Sequence, residues 1–268
     1  MTLDGKFKEL TKRGEKALIG FITAGYPTAE DTPKIADALI KGGVDILELG
    51  LPFSDPIADG VTIQRASEMS LRAGMDTDIY FNLATGIKGV DKVCLTYYNL
   101  VLQRGLEQFV SDCESAGIGG MVLPDLPVEE SKPLLNICEG YETDLIFIIA
   151  PTTTAKRMTK ILDAAAGFIY VVSLLGVTGA RDKISDAIQP LIGTIRDQEI
   201  SMGKAVPLAV GFGISKREHV RTVCEFADGA IVGSAIIKLI EQELDSKEQM
   251  LIKIEEFASS LKAGTKIV

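Results

Sequence analysis

Residues 145–173 read LIFIIAPTTTAKRMTKILDAAAGFIYVVS, and this stretch contains the repeating unit of the fold. Two short apolar runs, 145–150 and 168–173, flank a polar and apolar segment that begins after Thr154. The apolar residues of that segment recur at helical spacing, at Met158, Ile161, Leu162 and Ala165. Short runs that are apolar on both faces are typical of strands buried between a core and covering helices. The stretch therefore predicts a strand, an amphipathic helix and a second strand parallel to the first.

The same alternation continues along the whole chain. Six further apolar runs predict strands, at 18–24, 46–50, 93–97, 120–124, 208–212 and 230–234. Eight strands that alternate with helices predict an α/β protein with a parallel sheet. An open doubly wound sheet is the alternative, but eight regular units favour a closed (β/α)8 TIM barrel, with residues 1–268 as a single domain.

Helix signals lie between these strands. A short leading helix is predicted over 3–13, and Thr28, Thr154 and Ser215 are predicted to precede three later helices. Further helices are predicted over 105–116, 128–141 and 182–200, and one starts at Val61 or Thr62. In such barrels the chemistry lies at the carboxyl ends of the strands, so the loops that follow them are where a site is expected.

Composition excludes several classes of function. The 268 residues are 46% hydrophobic and 24% charged, which is ordinary for a globular enzyme. The net charge of −9 argues against binding to nucleic acid, which requires basic residues opposite the phosphates. No apolar run reaches the length of a membrane span, and the polar amino terminus lacks the features of a secretory signal. We therefore expect a cytoplasmic protein with no membrane contact.

The cysteines and the single histidine do not form a metal site. Four cysteines are scattered without a Cys-x-x-Cys pair, mostly within apolar segments where cysteine acts as a small hydrophobe. His219 is predicted to lie within a helix, and one histidine cannot build a His-rich metal centre. We expect neither a disulfide framework nor a bound metal.

The loop after the second strand, residues 46–66 (ILELGLPFSDPIADGVTIQRA), carries the strongest chemical signal. Glu48 lies within an apolar strand, where an ionised carboxylate is costly unless it is paired or used. Asp55 and Asp59 follow in a stiff, acidic loop. A structural ion pair for Glu48, and turn residues that bond their own backbone for the aspartates, are the alternatives.

Glycine-containing loops follow the last three strands. Gly176 and Gly179 lie after the sixth strand, Gly213 after the seventh, and Gly233 with Ser234 after the eighth. Glycines at adjacent strand ends that lead into helix amino termini provide backbone N–H donors for a phosphate group. A single such loop is weak evidence, because glycine is also the default turn residue, but three at neighbouring strand ends favour a phosphate site.

Three aromatic residues lie near the strand ends. Tyr170 lies within the sixth strand, and a core tyrosine whose hydroxyl finds a carbonyl is its simplest interpretation. Phe21 and Phe212 could line an apolar wall for a flat aromatic ligand, although packing is the default role for both.

These motifs together resemble the tryptophan synthase alpha subunit family. The resemblance is carried by ELGLPFSDP (48–56), ADG (58–60) and TIQ (62–64), followed by GVTG (176–179), GFGIS (211–215) and GSA (233–235). The motif around Glu48 is long and specific, whereas the glycine loops occur in other phosphate-binding barrels. One departure is Leu174, which follows Ser173 where many family members have arginine.

The resemblance implies a cofactor-free reverse aldol reaction, in which indole-3-glycerol phosphate is cleaved to indole and glyceraldehyde 3-phosphate. It implies that Glu48 is the general acid–base, that Asp59 accepts a hydrogen bond from the ring N–H, and that Tyr170 lies beside Glu48. The substrate-binding positions that it implies are Phe21, Leu95 and Phe212 for the indole ring, and Thr178, Gly179, Gly213, Gly233 and Ser234 for the phosphate end.

The residue types agree with this chemistry. A metal-dependent aldolase would need several histidine-like ligands, and a Schiff-base aldolase would need a lysine at the carboxyl end of a strand, which none of the predicted strands has. The resemblance also implies a partner, a beta subunit that consumes indole within an alpha2beta2 heterotetramer. Two alternatives stay open: another phosphate-binding barrel enzyme of amino-acid biosynthesis, and a regulatory binding subunit with little turnover of its own.

Overall fold

Short parallel strands form the centre of the molecule in the computed structural model, which describes residues 2–172, 181–211 and 213–266. The strands are β1 Ala17–Thr23, β2 Ile46–Gly50, β3 Asp91–Leu95, β4 Ile118–Val122, β5 Asp144–Ile146, β6 Ile148–Ile149, β7 Ile169–Val172, β8 Leu208–Gly211 and β9 Gly229–Val232. Every strand pair is parallel.

The order of the strands shows that the sheet is a barrel. Neighbours follow the order β5-β4-β3-β2-β1-β9-β8-β7-β6, so β1 pairs with both β2 and β9. The two strands at the ends of this order, β5 and β6, are separated in the chain by Phe147 alone. They are two halves of one strand, and the sheet therefore closes into a ring of eight. The predicted (β/α)8 barrel is confirmed.

Two strand predictions were displaced along the chain. The structure has Asp91–Leu95 in place of 93–97, and Ile118–Val122 in place of 120–124. Both predicted strands begin and end two residues later than the observed ones. The reason is that Tyr97 and Leu123 are as buried as strand residues although they already belong to the loops at the barrel mouth. Apolar content alone does not distinguish a strand from a buried loop.

Helices cover the outside of the ring and also close one end. They are α1 Leu3–Lys12, α2 Thr32–Lys41, α3 Val61–Arg72, α4 Thr77–Gly86, α5 Tyr98–Arg104, α6 Leu106–Ser115, α7 Lys132–Cys138, α8 Ala155–Ala164, α9 Arg181–Met202, α10 Arg217–Cys224, α11 Ser234–Gln242 and α12 Lys247–Lys262. The apolar spacing and helix signals of the sequence did not predict α4, α5 and α12. None of the described helices combines the length and the apolar character needed to cross a membrane.

The helix predicted to start at Val61 or Thr62 begins at Val61. Of the three residues predicted to precede helices, one prediction was correct and two were wrong. The Thr154 hydroxyl accepts a hydrogen bond from Arg157 N at 3.3 Å and caps α8, as predicted. The prediction for Thr28 was wrong, because its hydroxyl donates to the Asp31 carboxylate at 2.7 Å and α2 begins only after Asp31. The prediction for Ser215 was wrong by one residue, since Lys216 precedes α10.

The predicted helix over 128–141 is shorter in the structure. The Ser131 hydroxyl donates to Val128 O at 2.9 Å within a turn, and α7 begins only at Lys132. A hydroxyl that bonds to the nearby backbone in this way competes with helix formation.

The helix α1 fills the amino-terminal end of the barrel. Its buried residues Leu3, Phe7 and Leu10 join the core cluster inside the ring. The Phe7 and Phe168 ring centroids lie 5.6 Å apart, and Phe168 directly precedes β7. Because one end of the ring is filled by apolar side chains, the carboxyl ends of the strands form the accessible mouth.

A second, larger core cluster lies between the ring and the helices. It includes Leu47 and Leu49 of β2 together with the buried faces of the covering helices. Cys94 and Cys113 also belong to it, and all four cysteines are buried free thiols, in agreement with their prediction as small hydrophobes.

Lys92 is a buried charge on the outer face of the ring. Only 3% of Lys92 is exposed, yet its ammonium group donates three hydrogen bonds, to Ala84 O at 2.6 Å, Ile87 O at 2.8 Å and Ala116 O at 2.6 Å. The acceptors lie at the carboxyl-terminal ends of α4 and α6, where carbonyl groups lack intrahelical donors and favour a cation.

We expect Lys92→Met to lower the free energy of unfolding by about 3 kcal/mol, because it leaves three buried carbonyl groups without a donor. Urea denaturation of wild type and variant measures the difference. The matched control is Lys88→Met at an exposed lysine nearby, which should change stability little. Equal stability of Lys92→Met and wild type would show that these hydrogen bonds add nothing.

Candidate active site

Glu48 faces the interior of the barrel from the third position of β2. Successive side chains of a strand point to opposite faces, so Glu48 shares the inner face with Ile46, which belongs to the inner core cluster. Glu48 is only 1% exposed, and no described residue forms a hydrogen bond with its Oε1 atom. Burial, and secondarily the negative charge of Asp59, raises the pKa of Glu48 to about 8. A structural ion pair does not explain this residue, and at neutral pH it holds a proton.

Asp59 lies in the loop after β2, and a tyrosine from the next strand end holds it in place. The Tyr97 hydroxyl accepts a hydrogen bond from Ala58 N at 2.9 Å and donates one to the Asp59 carboxylate. The Gln64 side-chain amide donates to Asp59 O at 2.8 Å and so ties the loop to α3. Burial raises the pKa of Asp59 to about 6, and the bond from Tyr97 opposes that rise.

The two carboxyl groups therefore have different protonation states at neutral pH. Asp59 lies in the predicted loop but is half-buried, which explains a pKa above the ordinary value. The pKa of Glu48 is still the higher of the two, because Glu48 is more deeply buried and receives no comparable hydrogen bond. This division gives one proton donor and one anion in the same cavity.

Tyr170 extends from the inner face of β7 into the same cavity. Its ring and hydroxyl occupy the space beside Gly211, where an added Cβ would lie 2.7 Å from the Tyr170 oxygen. Glycine at this position therefore makes room for the ring. Burial first, and then the charges of Glu48 and Asp59, raises the pKa of Tyr170 well above its usual value. The phenol is a neutral hydrogen-bond donor close to both carboxyl groups.

Apolar side chains line the wall between β9 and β3. The Phe21 ring covers Gly50, where an added Cβ would lie 2.7 Å from the ring, and the Cβ of Phe21 lies 3.3 Å from the corresponding position of Gly233. Leu95 is the register partner of Gly50 at the end of β3 and is partly buried. Phe21 therefore connects the Gly233 turn with the strand that carries Glu48.

Two of the predicted glycine turns lie on the same rim. Gly213 has φ +48°, a conformation that favours glycine, in the exposed turn after β8. Gly233 precedes α11, whose first residue is Ser234, and the first backbone N–H groups of a helix lack intrahelical acceptors. The other predicted positions, Thr178, Gly179 and Phe212, lie outside the described residues, as do Gly176 and Leu174.

The structure also identifies residues that the motifs did not indicate. Tyr97 was predicted only as the last residue of a strand, yet its hydroxyl holds Asp59, and the ring of Phe53 stacks on it with centroids 5.2 Å apart. Nothing in the local sequence indicates this bond, because 39 residues separate Tyr97 from Ala58. The only available signal was that Tyr97 ends a predicted strand.

Comparison with known proteins identifies the family. The sequence profile of the tryptophan synthase alpha chain matches residues 7–266. The chain belongs to the tryptophan synthase alpha chain family. The alpha chain of Methanosarcina barkeri is 48% identical over 263 residues, which cover 97% of this chain and 96% of that protein. The alpha chain of Methanocaldococcus jannaschii is 47% identical over 260 residues, or 96% of this chain and 90% of that protein.

Solved structures show the same relationship. A chain of Mycobacterium tuberculosis tryptophan synthase superposes with a TM-score of 0.90 at 33% identity, covering 99% of this chain and 98% of that chain. The tryptophan synthase alpha subunit of Legionella pneumophila gives a TM-score of 0.89 at 32% identity and full coverage of both chains. The resemblance inferred from the motifs is confirmed, and this alpha chain is a lyase subunit of tryptophan biosynthesis.

The burial of Glu48 predicts a pH-dependent cost to the stability of this alpha chain. The pKa of Glu48 is higher in the folded protein than in the unfolded chain, so between about pH 4.5 and 8 the folded state holds a proton that the unfolded state has lost. Stability from this group is fully present below pH 4.5 and is lost as the pH rises towards 8. We expect Glu48→Gln to raise the free energy of unfolding by about 3 kcal/mol at pH 8 and by little at pH 4.5.

Urea denaturation across this pH range measures the effect. Glu256→Gln is the control, because Glu256 is an exposed glutamate of α12. A stability difference between Glu48→Gln and wild type that does not vary with pH would show that Glu48 keeps an ordinary pKa.

Proposed function

We propose that this alpha chain cleaves indole-3-glycerol phosphate to indole and glyceraldehyde 3-phosphate with Glu48 and Asp59 as its catalytic residues. The observation that supports this most is the pair of carboxyl groups in one mouth, Glu48 buried and Asp59 half-buried, with pKa values of about 8 for Glu48 and about 6 for Asp59. At neutral pH one carries a proton and the other a negative charge, and the cleavage needs both.

The chemistry assigns each group a step. The bond between the indole C3 and the glycerol carbon breaks only after C3 receives a proton, which Glu48 supplies. Positive charge then develops towards the ring nitrogen, and the Asp59 carboxylate accepts a hydrogen bond from the ring N–H. Glu48, now ionised, takes the proton of the adjacent glycerol hydroxyl as the C–O bond becomes a carbonyl. The electrons of the broken bond return to the ring, and indole leaves.

Tyr170 supports this cycle as a neutral donor beside the acid–base group. Its phenol stays protonated because burial and the two carboxyl groups raise its pKa. A hydroxyl in this position orients Glu48 or the glycerol hydroxyl without taking part in proton transfer. Phe21 and Leu95 provide the apolar surface on which a flat indole ring packs, which excludes water from the carboxyl groups.

The phosphate end of the substrate binds at the Gly213 and Gly233 turns and the amino terminus of α11 in this proposal. Backbone N–H groups there favour an anion even in a protein of net charge −9. Gly233 follows β9, and Glu48 lies on β2, with only β1 between them. Neighbouring strands are about 4.8 Å apart, so about 10 Å separates the two sites, which one glycerol phosphate chain can span.

We expect Glu48→Gln to bind substrate but to lose roughly 10³-fold or more in turnover, because glutamine cannot donate or accept the transferred proton. Asp59→Ala should also be strongly impaired, since the cation on the ring loses its counter-charge. Indole release from indole-3-glycerol phosphate measures both, and the exposed loop variant Asp55→Asn provides a comparison within the same loop. Full turnover by Glu48→Gln would remove Glu48 from the mechanism. Substrate binding without turnover by the wild type would favour a regulatory binding subunit instead.

We also propose that the barrel mouth binds a beta chain that consumes indole, in an alpha2beta2 assembly. Ile57 and Val61 are 83% and 74% exposed in the loop that carries Asp59 and at the start of α3. Large apolar side chains this exposed at one site are typical of protein interfaces. The similar chain from Mycobacterium tuberculosis comes from a tryptophan synthase structure.

We expect Ile57→Glu to weaken binding of the beta chain of a related tryptophan synthase at least tenfold, because a charge replaces a buried apolar contact. Ile200→Glu is the matched control, since Ile200 is 78% exposed near the carboxyl end of α9, remote from the mouth. Calorimetric titration with the beta chain measures both. Unchanged affinity for Ile57→Glu would place the interface elsewhere.

The remaining predictions concern the whole chain. We propose that residues 1–268 form a single domain, which is supported by the pairing of β1 with both β2 and β9. The cytoplasmic location stays a prediction from the sequence.

A further inference from the structure

Thr23 is a buried polar residue without a partner at the mouth of the barrel. It ends β1 and is only 1% exposed, and its Oγ1 atom forms no hydrogen bond with any described residue. A buried hydroxyl in that state costs about 1–3 kcal/mol relative to one that is bonded. Such a cost requires an explanation, and packing alone does not supply one, because valine fills a similar volume without the polar atom.

The strand register places Thr23 next to Glu48. In β1 the alternation that directs Ile19 into the inner core cluster also directs Phe21 and Thr23 inwards. Phe21 pairs with Glu48 and Thr23 with Gly50, so Thr23 and Glu48 are diagonal neighbours on one face of paired strands. Diagonal neighbours lie about 7–8 Å apart at their backbones, a distance that a glutamate side chain can span.

The same face contains the second unpartnered oxygen. Oε1 of Glu48 also has no hydrogen-bond partner among the described residues. Gly50 adds no side chain between the two oxygens, and the ring that lies over Gly50 is that of Phe21, the register partner of Glu48. A neutral carboxylic acid tolerates this setting, whereas a buried carboxylate needs a donor.

We propose that Thr23 is a positioning residue for Glu48, whose hydroxyl donates a hydrogen bond to the Glu48 carboxylate after Glu48 has given up its proton. The inference rests on the proposed function, in which Glu48 changes between acid and base during one turnover. An ionised Glu48 needs a donor more than a protonated one does, and the Thr23 hydroxyl has no other partner among the described residues. It stabilises the ionised state and aims the carboxylate at the glycerol hydroxyl.

Other groups near Glu48 do not obscure this effect near neutral pH. Among the described residues, the groups coupled to it electrostatically are Asp59, Tyr170, Tyr80 and Cys94. Burial raises the pKa of Cys94 to about 12 and keeps both tyrosine phenols neutral. Asp59 alone titrates near neutrality, with a pKa of about 6.

The test compares Thr23→Val and Thr23→Ser with the wild-type alpha chain in the indole-release assay over a range of pH. We expect Thr23→Val to lower kcat roughly tenfold or more and to leave KM unchanged, the size expected for the loss of a hydrogen bond to a charged group. The alkaline limb of its kcat profile should move up by about one pH unit, because loss of a donor disfavours the carboxylate. Thr23→Ser keeps the hydroxyl and should restore most of the activity and the wild-type pH profile.

Thermal unfolding separates positioning from structural support. Removal of an unbonded hydroxyl should leave the midpoint of Thr23→Val equal to wild type or higher, whereas a structural role requires a lower one. If Thr23→Val does not fold, Thr23→Ala removes the same hydroxyl and is measured against Thr23→Ser.

An unchanged kcat and pH profile in Thr23→Val overturns the proposal, as does a raised KM with unchanged kcat or a Thr23→Ser variant as impaired as Thr23→Val. These outcomes test the role of Thr23 only if the wild-type chain itself releases indole. A wild-type chain without turnover contradicts the proposed function instead.

Discussion

The alternation of side chains along β2 is the constraint on which the rest of the site depends. Ile46 and Glu48 point into the ring, and Leu47 and Leu49 pack beneath the helices. A shift of one residue in the pairing of β2 would bury the outer leucines in the mouth and move Glu48 into the helix layer. The apolar residues on both faces therefore fix the face of the sheet on which the carboxyl group lies.

Glycine at two strand ends then shapes the space around that carboxyl group. Gly50 gives room to the Phe21 ring and Gly211 to the Tyr170 ring, since a Cβ at either position would lie 2.7 Å from the aromatic side chain. Glu48 is buried at this position, and that burial raises its pKa. The packing of the two rings, the raised pKa of Glu48 and its proposed role in proton transfer therefore depend on the same few positions on the inner face of the barrel.

The sequence indicated the barrel, Glu48 and Asp59, but not the contacts that define their environments. A carboxylate within the apolar run of β2 was visible as an anomaly, and the repeat of strands and helices indicated the ring. The bond from Tyr97 to Asp59 joins two separate loops and has no local signal. The interruption at Phe147 was also unpredictable, because residues 145–150 are uniformly apolar. Local patterns report burial and periodicity, whereas hydrogen bonds between distant segments depend on the completed fold.

Lys92 differs from Thr23 and Glu48 in how its buried polar group is hydrogen-bonded. On the outer face, Lys92 donates to three backbone carbonyls, and its hydrogen-bonding capacity is used completely. On the inner face near the mouth, Thr23 and Glu48 each have an oxygen without a partner in the described part of the chain, although both residues are as deeply buried as Lys92. Folding alone favours the first arrangement, because each unbonded polar atom lowers stability. Unbonded oxygens on neighbouring strands at the open end of the ring are therefore better explained by hydrogen-bond partners that are present only during the reaction. A charge that appears on Glu48 only during turnover is such a partner for Thr23, and a substrate hydroxyl is such a partner for Glu48.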